Sequence, residues 1–214
     1  DRFNMHAERI HRVCVDLEAG SHMVLALSMP ALSDVLLEEC PEAQNIARIS
    51  LPRRVSVKHR DLEFQENLVC FADSRLFGVF TFPFIAGDPE TALDTPYSVV
   101  LTEETAAKYF GEKNPIGQTV RIGGGADYAV TGVVKNIPSN SHFRFAMARS
   151  FATLYAENRR DMENWLNIQY YTYVLLAENA KPADLERKFP GIIDKYMGQS
   201  LKSIGGTLKL FLQP

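Results

Sequence analysis

The sequence is poor in the residues that usually carry metal or redox chemistry. Its three cysteines, Cys14, Cys40 and Cys70, show no CxxC or other ligand spacing. The five histidines, His6, His11, His22, His59 and His142, include no HExxH and no pair four residues apart, so a helical metal site has no support. An odd cysteine count leaves at least one thiol unpaired in a monomer; core thiols fit any compartment, and a Cys14–Cys40 or Cys40–Cys70 bridge fits an oxidising one. Excess charge is also missing. Lys and Arg number 23 against 26 Asp and Glu, a net charge of −3, which gives no general pull toward nucleic acid or anionic lipid. The most apolar windows, 24–37 and 170–177, are interrupted or far shorter than the roughly 20 apolar residues that cross a bilayer. The opening DRFNMHAERI lacks an initiating Met, a basic n-region and an apolar h-region, and the expectation is a piece of a longer chain. No repeat, low-complexity tract or long polar linker occurs, so any second unit is inserted compactly.

What is present is core-forming sequence. At 46% hydrophobic, 214 residues suffice for one large domain or two small ones. RIHRVCVDLE reads as a strand, MPALSDVLLEECPEA as a helix ending before Pro41, and NIARISL, RVSVKH and DLEFQENLVCFA as strands, giving a β-α-β-β opening. In DSRLFGVFTFPF, Asp73 is the expected cap of a short turn, and Phe77, Phe80, Phe82 and Phe84 form an aromatic wedge, read as a satellite core joining two subdomains. GDPETAL has Asp88 as cap and Pro89 at the first helical position, which predicts a helix. The tail reads β-α-β: YYTYVLLA, a helix over KPADLERKFPGIIDKYM interrupted or kinked at Pro190, and GTLKLFLQ.

The stretch SVVLTEETAAKYFGEKNPIGQTVRI, 98–122, tests for a phosphate cradle. A Walker A loop runs from a strand into a helix as Gly-x4-Gly-Lys-Ser/Thr. Here five residues separate Gly111 from Gly117, Gln118 stands in the lysine position, and the loop leaves a helix to enter a strand. The expected structure is a strand 98–101, a helix capped by Thr102 with Glu103 and Glu104 in its first turn and Lys108 in its last, and a turn at Gly111–Gly117. GGGAD, 123–127, reads as a hairpin connection. Ser141 beside His142 suggests a nucleophile and base, but neighbours in an extended segment point apart, and a turn after Pro138 accounts for them better. The carboxylate pairs Glu103 with Glu104 and Asp161 with Glu163 suit helix starts and solvated faces. Trp165, with Tyr170, Tyr171 and Tyr173, fits either a ligand cleft or core. No catalytic, cofactor or metal residue is assigned.

Taken in order, DRFNMHAERIHRV, FADSRLFGVFTFPFIAGDPETAL, the 98–122 stretch, YAVTGVVKNIPSNSHFRF, YYTYVLL and LFLQP resemble the extracytoplasmic domain of MacB/FtsX-like ABC transporter permeases. The run 99–138 is the most specific. The resemblance implies an α+β fold: a porter-like α/β subdomain from both chain ends, 1–84 and 151–214, with a smaller, mainly β subdomain inserted at 85–150. It implies a noncatalytic domain on the periplasmic side of the bacterial inner membrane, between two transmembrane helices of the permease. The implied partners are those helices, a separate cytoplasmic ATPase, a second permease copy in a dimer, and a periplasmic adaptor, with no cofactor and no nucleic acid. GSHM at 20–23 resembles a cloning scar and is read either as native or as an engineered junction. The alternatives are a ligand-binding sensor domain with its cleft near Trp165 and, ranked last, a hydrolase using Ser141 or a cysteine.

Overall fold

Runs in which alternate residues are apolar become strands, and the longest shape two separate cores. The computed structural model describes residues 4–214. In chain order the elements are β1 (Ile10–Glu18), β2 (His22–Leu25), α1 (Leu32–Glu39), β3 (Ala43–Ser50), β4 (Arg53–His59), β5 (Leu62–Ala72), α2 (Leu76–Val79), β6 (Phe84–Gly87), β7 (Ser98–Thr102), α3 (Glu103–Phe110), β8 (Thr119–Ile122), β9 (Asp127–Val134), β10 (Met147–Ser150), α4 (Phe151–Met162), β11 (Tyr170–Leu176), α5 (Pro182–Glu186), α6 (Phe189–Ser203) and β12 (Thr207–Gln213). Helices and strands mix without strict alternation, an α+β fold. By contacts the chain divides into a sheet unit, His6–Arg48 with Arg160–Pro214, and a barrel unit, Ile49–Arg159 with the described residues before His6.

In the sheet unit the strand order is β3-β11-β1-β12, with β2 also on β1. Val13 and Val15 of β1 share a face with Leu208 and Leu210 of β12, since Val13 lies opposite Leu212 and Val15 opposite Leu210. That face is covered by Leu32 and Leu36 of α1, Leu185 of α5, and Phe189, Ile192, Ile193, Met197 and Leu201 of α6, all buried. The α6 residues recur at helical spacing, the pattern of an amphipathic helix laid on a sheet. The segment 182–203 is two helices. Pro190 sits in the first turn of α6, where its missing N–H costs nothing, and the break falls before it.

In the barrel unit, among the described residues, β5-β10-β7-β9-β8-β4 close on themselves, because β10 pairs β5 in parallel and β4 pairs β5 antiparallel. Val57, Val99, Leu101, Val120, Ile122, Val130 and Met147 fill the interior. Gly132 of β9 marks a close approach: a Cβ there would lie 2.7 Å from the Phe84 ring and 3.1 Å from Val100. Beside it, Gly87 takes a φ of +88° against the Thr131 carbonyl. Because β4 and β5 pair with β8 and β10, contacts group 49–84 with the barrel, a wider span than 85–150.

Three local expectations are corrected. GDPETAL forms turns, not a helix. Asp88 does cap, accepting from the Glu90 amide at 3.0 Å. The carbonyls of Ala92 and Leu93 that a helix would use are taken by the hydroxyls of Thr131 (2.5 Å) and Ser150 (2.6 Å). α2 begins after Arg75, and Asp73 contributes its backbone carbonyl to Leu76. Phe77, Phe80, Phe82 and Phe84 pack with one another and with Phe143 and Phe145, all within the barrel unit. β2, β6 and β10, of four residues each, are strands that periodicity missed, and the helix α4 was likewise not anticipated.

Candidate functional site

The 98–122 stretch folds as a strand, helix and turn, and its side chains are spent on that geometry. Thr102 stands at the N-cap of α3 but bonds the Thr105 hydroxyl (2.8 Å), while Asn136 accepts from the Glu104 amide at 3.0 Å in its stead. Lys108 reaches Glu66 of β5 at 2.6 Å, and the Tyr109 hydroxyl donates to the same carboxylate oxygen at 2.8 Å. Burial first, then that carboxylate, push the Tyr109 hydroxyl far above its ordinary pKa, so it remains a donor. Gly111 and Gly117 adopt positive φ; the Gly117 amide bonds Val130 O, and the Ile116 amide bonds the Asn114 side chain. The turn's amides at 116–118 are thus engaged within the fold. GGGAD closes the β8–β9 hairpin, with Gly123 and Gly124 at positive φ.

The other candidates are dispersed. The Ser141 hydroxyl donates to the Phe143 carbonyl at 2.8 Å, and the Ser141 amide closes a turn on Pro138. The three thiols are free and buried. Burial pushes the Cys70 thiol up to about 12, far from the thiolate a nucleophile needs. His22 bonds Asp16 at 2.8 Å, His59 bonds the Thr119 carbonyl at 2.8 Å, and His6 lies 3.0 Å from Arg9. Glu103 and Glu104 are exposed at the start of α3, and Asp161 accepts from Asn167. Trp165 stacks on Tyr196, ring centroids 4.5 Å apart, at the edge of the sheet-unit core, while the Tyr170 hydroxyl points to Met162. Among the described residues no three His, Cys, Asp or Glu side chains are grouped to hold a metal.

One concave surface of the barrel unit concentrates charge that the sequence reading missed. In register across three strands stand Lys58, Arg121 and Asp127, Lys58 opposite Arg121 and Arg121 opposite Asp127. Arg121 holds both carboxylate oxygens of Asp127, at 2.8 and 3.1 Å, which keeps that carboxyl below the usual range. With His59, Arg60, Gln118 and Thr119 they line a cleft of about 450 Å³. Its chemistry is the presentation of cations and amide groups to solvent. Along β4, Arg54, Ser56 and Lys58 alternate with Val55 and Val57, which tells only that these side chains leave the core; the row itself needs the pairing of β4 with β8 and β9.

The fold recurs in solved domains of permease and transporter proteins. It superposes on a domain of a candidate permease protein from Porphyromonas gingivalis with a TM-score of 0.88 at 20% identity, covering 100% of this chain and 92% of that one. The periplasmic region of MacB from Actinobacillus actinomycetemcomitans aligns with a TM-score of 0.64 at 13% identity, over 96% of this chain and 88% of that one. The extracellular domain of the noncanonic ABC-type transporter YknZ from Gram-positive bacteria gives 0.55 at 12% identity, over 96% and 100%. Nothing among curated proteins matches. Residues 10–192 match the MacB-like periplasmic core domain, and the chain belongs to that family of ABC transporter permease domains. Among the described residues no helix is long and apolar enough to cross a membrane.

Proposed function

We propose that this domain is a noncatalytic relay: it passes ATP-driven movement of the permease's transmembrane helices to substrate or partner proteins outside the membrane. The observation that carries the reading is the pairing of β1 with β12. The strands nearest the two ends of the chain run antiparallel from Arg12–Gln213 to Glu18–Thr207, and Arg12 bonds Gln213 at 2.6 Å. Helices attached at both ends therefore act on one pair of hydrogen-bonded strands, which moves as a unit because bending it would break a ladder. In this reading the sheet unit is the porter-like subdomain and the barrel unit the inserted one. The permease works as a dimer with a separate cytoplasmic ATPase and a periplasmic adaptor. The engaged hydroxyl of Ser141 and the buried thiol of Cys70 favour a noncatalytic role over a hydrolase.

The test is made in the intact permease by inserting a flexible Gly-Ser linker before Ile10 and another after Gln213. A relay predicts that ATP hydrolysis persists while transport is lost. Transport at the parental rate with both linkers in place sinks it.

A further inference from the structure

We infer that the edge of β12 and the adjoining face of α6 form a binding site for an extended peptide segment of another protein, which joins the sheet as an added strand. β12 is an edge strand of the sheet unit, paired on one side by β1. On its other side the Leu212 amide donates to the Glu186 carboxylate at 2.7 Å, and the Gly206 amide donates to Leu201 O at 2.9 Å. Alternate amides of a strand point the same way, so those of Leu208 and Leu210 also face away from β1. Among the described residues they have no partner. Both residues are 7% exposed, and unpaired backbone groups on residues this buried are rare unless something else satisfies them.

These amides open onto a groove of about 460 Å³ between β12 and α6. Residues 206–210 form one wall, roughly 16 Å of strand. Phe189, Ile193 and Leu201 supply the apolar lining from α6, and Gly198 leaves the helix wall without a side chain. The site thus offers backbone pairing along one side and apolar pockets for alternate side chains, the two requirements of strand addition. Its ends differ in charge: Glu186 stands at the Leu212 end and Lys202, next to Leu201, at the Gly206 end, while Asp194 and Lys209 also line the groove as one charge of each sign. The fitting segment is extended, apolar at alternate positions, basic at one end and acidic at the other. A second copy of this chain fits worse. Reciprocal use of the Leu208 and Leu210 amides by two copies centres on Lys209 and sets like charges opposite each other.

The experiment uses this chain and two labelled heptapeptides, KVTVTVE and EVTVTVK, each also made with alternate amides N-methylated, read by fluorescence anisotropy and amide exchange. The expected result is that one charge order binds about tenfold or more tighter than the other, N-methylation abolishes the binding, and the Leu208 and Leu210 amides slow their exchange. Lys202→Glu, at an exposed position, is expected to erase or invert the preference between the two peptides without unfolding the chain. Equal binding of both orders, full binding of the N-methylated forms, no binding by either peptide, or protection of these amides by self-association at high protein concentration would each overturn the proposal.

Discussion

The barrel unit and the sheet unit solve the edge problem of β-structure in opposite ways. The six barrel strands pair around a ring within 49–159, so each has a neighbour on both sides. The sheet unit takes its strands from both ends of the chain and stops at β12, where, among the described residues, the Gly206 and Leu212 amides find partners on the side away from β1 and the Leu208 and Leu210 amides do not. Closure is suited to a rigid body. An open edge leaves backbone groups with which another strand can pair.

The comparison can be broken first through the cores. The single Trp165 lies in the sheet unit, so its fluorescence follows that unit while far-UV circular dichroism follows both. Phe189→Ala, which empties the N-terminal end of the α6 contact, is expected to destabilise by about 3–5 kcal/mol, seen as an early fluorescence transition in urea. If fluorescence and circular dichroism shift together, the units unfold as one and the distinction fails. Gly132→Ala attacks barrel closure, because the new methyl meets Phe84 and Val100; about 1–3 kcal/mol is expected. It should appear in circular dichroism with the Trp165 transition unmoved.

Thiol labelling sharpens the same contrast. Cys70 is 1% exposed on β5 of the barrel unit, on the face opposite the interior residue Val69, with its thiol raised by burial, and should resist a thiol reagent until the barrel unit opens. Reaction at native stopped-flow times would show an open barrel. The smallest effect is expected from acid. Glu39 is held below the usual carboxylate range first by its hydrogen bond from Lys195, Glu42 by Lys188, and Asp184 by the Lys181 amide and Arg187; the barrel counterpart is Asp127. A carboxylate lowered in the folded state contributes fully above its ordinary pKa of about 4. That contribution is lost as pH falls through the lower, folded value. The fluorescence-detected midpoint should therefore decline below about pH 4 more than the barrel's does. These groups are largely exposed, and added salt should shrink the difference.

Much of the fold was readable from the apolar pattern: β1, β3, β4, β5 and β12 fall where strand-like runs placed them, and β11 where a continuous apolar run did. The 98–122 stretch was readable for a local reason, since a helix ending at Gly111 and a Pro-Gly turn are set by neighbours in sequence. What escaped depends on partners far along the chain. The turns at 89–95 exist because Thr131 and Ser150 capture carbonyls that a helix would use, and neither lies near them in sequence. Gly132 reads as an ordinary strand residue until Phe84 and Val100 close on it. The Lys58–Arg121–Asp127 row needs the β4–β8–β9 register, which hydrophobic period cannot supply. The free edge of β12 is likewise a fact of topology, invisible in GTLKLFLQ itself.

Residue-resolved amide exchange along β12 in the isolated chain tests the open edge most directly. An open edge predicts alternation: fast exchange at Leu208 and Leu210, slow exchange at Lys209 and Phe211, and slow exchange throughout the barrel strands. Uniform protection from Leu208 to Phe211 in dilute solution would contradict it.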